Sequence, residues 1–127
     1  MFCALLFQGA GYSPSFTARM ERAIASLARG EAFVLCQGSD CLCAACPHLG
    51  KGGSCALGTG DVLGRDRAAL AALGLAPGQT IPPGEAAGKL RQVSRDQWRS
   101  VCGGCRWAGE GLCSWELFQE ARQRGFV

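Results

Sequence analysis

Six cysteines fall into two matched sets. Cys43, Cys46 and Cys55 lie in CAACPHLGKGGSC, and Cys102, Cys105 and Cys113 lie in CGGCRWAGEGLC. Each set opens with a Cys-x-x-Cys pair and has a ring residue two positions further on, His48 or Trp107. Each then runs through glycines to its third cysteine, after eight residues in the first set and seven in the second. A Cys-x-x-Cys turn puts two sulfurs on one side of a tight bend, so both can bind one centre. Zinc takes four such ligands tetrahedrally, and iron–sulfur clusters usually take four cysteine thiolates. Each set therefore supplies three ligands and lacks a fourth.

Two assemblies follow. In the favoured one, each set holds its own centre. Cys41 completes the first because it is local to it, Cys3 completes the second across the fold, and Cys36 is left over. In the other, the two Cys-x-x-Cys pairs converge on one centre, and Cys55 and Cys113 serve a second or none. Glycine loops are poor places to bury apolar thiols, so the six loop cysteines read as ligands. Cys36 reads as a core thiol at the end of an apolar strand. His48, the only histidine, could ligate, but its counterpart in the repeat is Trp107, which cannot. It is therefore expected to pack beside a centre. Trp98, Trp107 and Trp115 are expected to shield a centre from water. Spacing alone leaves zinc and iron–sulfur level: paired knuckles suit zinc, while three-cysteine units and the Cys46–Pro47 junction lean toward a cluster. A thiol–disulfide oxidoreductase would need its Cys-x-x-Cys at a helix start after a strand of a βαβ unit, and neither pair has that context.

The elements that hold these loops are mostly helical. Residues 1–12 are a short apolar segment, strand or helix, that carries Cys3. Ser13 as cap and Pro14 at the first position start a helix whose core stripe is Phe16, Met20, Ala23, Ile24 and Leu27, ended by Gly30. Glu31–Cys36 reads as a strand. After the first loop, Asp61 is placed to cap a helix that Gly74 ends. LAPGQTIPPGE reads as a loop, and a weaker helix follows from about Glu85 to Val93. Ser94 with Gln97 forms a capping box for a short helix that delivers Cys102, and Ser114 caps a final helix stopped by Gly125. Arg19, Arg22, Arg65, Arg67, Arg91, Arg95 and Arg99 read as solvated. The expected fold is mainly α with minor β: a small single domain over 1–127, of short helices carrying two Cys-x-x-Cys…Cys metal loops.

Composition bounds the rest. At 127 residues and 48% hydrophobic the chain can build a core without cross-links. Its nine cysteines are an odd number, which fits complete disulfide pairing poorly. The opening MFCALLFQGAGYS has no basic leader, and no stretch approaches the roughly 20 apolar residues of a membrane span, so the expected compartment is the cytoplasm, where cysteine clusters bind metal. The formal charge of +3 counts every cysteine as a neutral thiol. Two four-thiolate sites with divalent centres would bring it to about −1, so the charge does not argue for nucleic acid. No phosphate loop or paired carboxylates mark another catalytic site.

The runs CALLFQGAGYSPSF, CAACPHLGKGGSC, RDRAALAALGLAPG and VCGGCRWAGEGLC, in that order, resemble domain-of-unknown-function family 1284. These are small bacterial and archaeal proteins suspected of binding iron–sulfur clusters, with no assigned reaction. The resemblance matches Cys3, Cys43, Cys46, Cys55, Cys102, Cys105 and Cys113 to the family pattern, and it implies iron–sulfur over zinc. Cys36 and Cys41 match no position of that pattern. The family also has a histidine pair shortly before the position of Cys3, and the sequence starts at Met1 just after that point, so either the start is misplaced or this member lacks those groups. If histidines normally supply the missing ligands, the expectation is either an incomplete site or Cys41 as the substitute. The expected function is thus binding of one or two clusters of the 4Fe–4S type. Electron transfer, redox sensing or cluster handling with a protein partner would follow. A zinc-stabilised structural or interaction module and a thiol–disulfide oxidoreductase are the alternatives.

Overall fold

The computed structural model describes residues 1–126. The opening segment is a helix, α1 (Phe2–Leu6), which turns Phe2, Leu5 and Leu6 into the core. Helix α2 (Pro14–Ala28) starts as its sequence requires, with Ser13 Oγ accepting from the Phe16 N–H at 3.1 Å. It buries Phe16 and Met20.

The strand expected over residues 31–36 is shorter. Strand β1 (Phe33–Val34) pairs antiparallel with β2 (Thr80–Ile81), Phe33 opposite Ile81 and Val34 opposite Thr80. β2 comes from the segment read as loop. Its reason is tertiary: the pairing buries Ile81 completely, and Leu35 extends it by donating its N–H to the Gln79 carbonyl at 2.9 Å. Strand alternation also corrects the reading of Cys36. Leu35 takes the inward position, so Cys36 points out and is exposed.

Helix α3 (Thr59–Leu73) begins before Asp61, which sits in the first turn rather than at the cap, and Gly74 ends the helix in a left-handed conformation. Helix α4 (Pro83–Arg91) also begins earlier than expected, because Pro83 suits a first helical turn. Helix α5 (Arg95–Cys102) carries the expected capping box between Ser94 and Gln97. A further short helix, α6 (Arg106–Gly109), lies inside the second loop, and α7 (Trp115–Arg124) is capped by Ser114. Seven helices and one two-stranded sheet make the described fold mainly helical, as expected.

Phe118, Ile81 and Leu90 are fully buried at the centre of the core. α3 packs on α5, and α1 and α4 pack on α7. The Phe2 ring stacks on Phe118, with centroids 5.3 Å apart. Trp98 and Trp115 belong to this same core, where Trp115 also packs on Phe118. Among the described residues no helix is long and apolar enough to cross a membrane.

Candidate metal centre

The two loops reach the same plan by different backbones. In the first, Cys43–Ala45 forms a single 3₁₀ turn, and the Cys46 N–H donates to the Cys43 carbonyl at 2.9 Å. Asp40 Oδ1 accepts from the N–H groups of Leu42 and Cys43 and so starts that turn. The chain then doubles back as a small hairpin. Leu49 bridges Cys55, the Gly50 N–H donates to the Ser54 carbonyl at 2.8 Å, and the Ala56 N–H donates to the His48 carbonyl at 2.9 Å. The bend passes through Gly52 and Gly53 at φ +65° and +78°, a region that suits glycine. This hairpin returns Cys55 toward the Cys-x-x-Cys pair.

In the second loop, α5 ends at Cys102, and the Cys105 N–H donates to the Cys102 carbonyl at 3.0 Å. Gly103 is needed here for space: a Cβ would lie 2.5 Å from the Arg99 carbonyl oxygen. The return to Cys113 runs through α6, closed by the Leu112 N–H donating to the Trp107 carbonyl at 2.9 Å. A helical turn in place of a hairpin accounts for the different interval.

Both loops open on a cavity of about 520 Å³. Cys3, Cys43, Cys46, Cys55, Cys102 and Cys105 line it. A second cavity of about 150 Å³ is lined by Cys3, Cys102, Cys105 and Cys113. The fold thus gathers the seven cysteines of the resemblance around two spaces that share three of them. Cys36 and Cys41 line neither and are exposed. Among the described residues no three His, Cys, Asp or Glu side chains are grouped to hold a metal ion as they stand. The thiols ring a space instead of meeting at a point.

Cys3 arrives from α1. Phe2, Leu5 and Leu6 hold that helix to the core, and Cys3 lies off that face. Cys3 has accessible surface, yet both cavities border it, so that surface faces the interior of the site. Desolvation accordingly raises its pKa, and Cys105 adds to the rise. Burial pushes the Cys102 thiol up to about 12, helped by Cys3, Cys113 and Cys105. Cys113 is pushed up to about 11 by burial and then by Cys3 and Cys105. These four thiols therefore lie within electrostatic reach of one another. In the first loop, burial raises Cys43, and the Asp40 and Cys46 charges act in the same direction.

Two residues of the site escaped the sequence reading. Tyr12 packs edge-on to His48 at 5.0 Å and against Trp107 at 5.4 Å. The matched ring residues of the two loops thus meet on one tyrosine, and His48 packs as expected. The Tyr12 phenol is held above its ordinary pKa by burial, then by Cys105, Cys3 and Cys46, which come from α1 and from both loops. Arg65 is the other. It donates from Nη2 to the Gly104 carbonyl at 2.8 Å, between Cys102 and Cys105, and pairs with Asp61 at 2.6 Å. Its charge favours thiolate at Cys3 and Cys102. Arg19 also departs from a solvated role by donating to the Cys41 carbonyl at 3.2 Å. An arginine at helical spacing looks the same in sequence whether its head meets water or a distant carbonyl.

A sequence model of the family described as "Protein of unknown function (DUF1284)" matches residues 11–111. The chain belongs to this family. The matched DUF1284 span includes Cys43, Cys46, Cys55, Cys102 and Cys105, whereas Cys3 and Cys113 flank it. Their place in the site rests on the cavities they line. No curated protein and no solved structure matches the chain.

Proposed function

We propose that this chain is an iron–sulfur-cluster-binding protein that passes electrons or clusters to a protein partner. The observation that carries the reading is the meeting of Cys3 with Cys102, Cys105 and Cys113 around the smaller cavity, from two separated parts of the chain. Four thiols make the usual ligand complement of a cluster. Their arrangement around a space favours a cluster, which offers each thiolate its own iron, over a zinc ion that draws four sulfurs to about 2.3 Å. When bound, the cluster would supply one-electron chemistry. The chain would contribute the thiolates, the Arg65 charge beside them and the Tyr12–Trp107–His48 aromatic wall that keeps water away. Leu49 and Leu112, one in each loop, are large apolar side chains left exposed, which suits a partner docking beside the site.

A thiol–disulfide oxidoreductase needs a thiol whose pKa is depressed. Cys43 and Cys102, the leading cysteines of the two pairs, are both raised, which weighs against it.

Anaerobic purification with iron, zinc and acid-labile sulfide analysis tests the proposal. The expected result is a coloured protein with matched iron and sulfide. Cys102→Ser and Cys3→Ser should each lose a full centre, while Cys36→Ser should lose none. A colourless protein that carries zinc alone and takes up no cluster on reconstitution would replace this reading with a zinc-stabilised module.

A further inference from the structure

Loading the second cysteine set must move part of it. Cys3, Cys102, Cys105 and Cys113 ring a space, and among the described residues no three such side chains are grouped to hold a metal as they stand. Any centre they hold has to draw sulfurs inward. Three of the four are fixed: Phe2, Leu5 and Leu6 bury the helix that carries Cys3, and Cys102 and Cys113 are themselves buried. Cys105 is only half-buried and sits at the cap of α6, a helix of four residues. A turn with so little buried surface yields before a core helix does. Trp107 lies in that turn, so a shift of Cys105 carries its ring along. The ring does not shift into open space. It lies against Tyr12 at 5.4 Å, and Phe16, buried in α2, stands edge-on to Tyr12 at 5.2 Å and to Trp107 at 6.4 Å. Gly11 lets Tyr12 come this close to α2: a Cβ there would overlap Thr17 Oγ1 and lie 2.9 Å from the Phe16 ring. Tyr12 in turn meets the His48 ring edge-on at 5.0 Å. His48 belongs to the first-loop hairpin, where its carbonyl accepts from the Ala56 N–H and the next residue, Leu49, is exposed.

We propose that Tyr12 relays loading of the second cysteine set to the first-loop hairpin, so that the surface around Leu49 differs between the empty and the loaded protein. The inference rests on the second set holding a centre, as proposed above, and deepens it: a partner that docks on the hairpin reads the state of a centre it does not touch. The physical route is a continuous run of packed rings, Trp107 to Tyr12 to His48. Coupling between separated sites is carried by such chains of packed side chains. Edge-on aromatic pairs hold a preferred geometry, so a displaced Trp107 ring displaces its neighbours. An aromatic wall that only excluded water would leave the hairpin the same in both states.

The test uses the full chain, reduced and anaerobic, at constant pH. Cadmium, a diamagnetic ion that seeks thiolates, is the loading probe, and its thiolate charge-transfer absorbance reports uptake. Cys43→Ser, Cys46→Ser and Cys55→Ser together remove the first-loop thiols, and in that background a further Cys3→Ser should abolish uptake. His48 is the only histidine and Tyr12 the only tyrosine, so each gives one set of ring signals in proton NMR. Loading should shift the His48 ring signals and slow amide exchange at Ala56. Tyr12→Phe, which keeps the ring, should preserve both responses. Tyr12→Leu should lose them with uptake unchanged, and Trp107→Leu carries the same test if the first variant does not fold. His48 signals and Ala56 exchange that ignore loading overturn the relay. So does a response that survives either leucine substitution or is lost with Tyr12→Phe. Uptake that is absent, or indifferent to Cys3→Ser, removes the centre itself and this inference with it, a result distinct from a loaded protein whose hairpin does not respond.

Discussion

Cys102 links the stability of the fold to the proposed cluster binding. It sits at the end of α5 among core side chains, and its thiol is pushed from an ordinary 9.0 up to about 12. Metal binding requires thiolates, so loading must expel protons that the fold holds tightly. Loading near neutral pH is expected to release close to one proton per bound cysteine, measurable in weakly buffered solution with a pH indicator. The same shift sets the alkaline limit of the metal-free protein. A pKa raised in the folded state favours the protonated form there. Its stabilisation is complete below 9.0 and is lost as pH rises toward about 12. Cys113 adds to this over the window up to about 11. The urea midpoint of metal-free protein should therefore fall steadily above pH 9, and Cys102→Ala should flatten that fall.

At the scale of elements, the second loop depends on how α5 ends and what α3 presents to it. Gly103 donates its N–H to the Arg99 carbonyl at 2.8 Å, and that carbonyl leaves no room for a Cβ. Gly103→Ala should destabilise the protein by about 1–3 kcal/mol, as overpacking does, and should weaken the second centre more than the first. Chemical denaturation and iron content would show both effects. Arg65 reaches this loop from α3, with its side chain 27% exposed. Arg65→Gln should cost about 1 kcal/mol through the lost bond to Gly104. It should also move the reduction potential of the second centre to more negative values, because a positive charge beside the thiolates is gone. Arg65→Lys should restore part of that potential. A variant that loses stability with no change in potential would limit Arg65 to a structural tether.

At the scale of the whole molecule, the site is held together by the core rather than by the loops. Cys3 reaches the second loop because Phe2 stacks on Phe118 and α1 lies against α7. Phe2→Ala should cost about 3–5 kcal/mol and should loosen the second centre, while the first loop, which α2 supports, keeps its own. A variant whose two centres fail together would mean that the loops form one unit. The large cavity and the Tyr12 contacts allow the two halves to sense one another even so.

Much of this was legible before folding. Cysteine spacing repeats, capping residues and helix-ending glycines act over a few residues, so Ser13, Ser94, Ser114, Gly74 and the two cysteine loops could be read directly from local chemistry. The sequence by itself determined two three-cysteine units on a mainly helical frame. Only the tertiary structure decided that Cys3 borders the cavities of both units, that Cys41 and Cys36 line neither, and that Tyr12 and Arg65 reach the cysteine loops. The reason is one of range. Packing of α1 on α7, pairing of β1 with β2 and the reach of an arginine across 39 residues depend on which distant surfaces meet. That meeting is set by burying Phe118, Ile81 and Leu90 together, which no short stretch of the chain encodes.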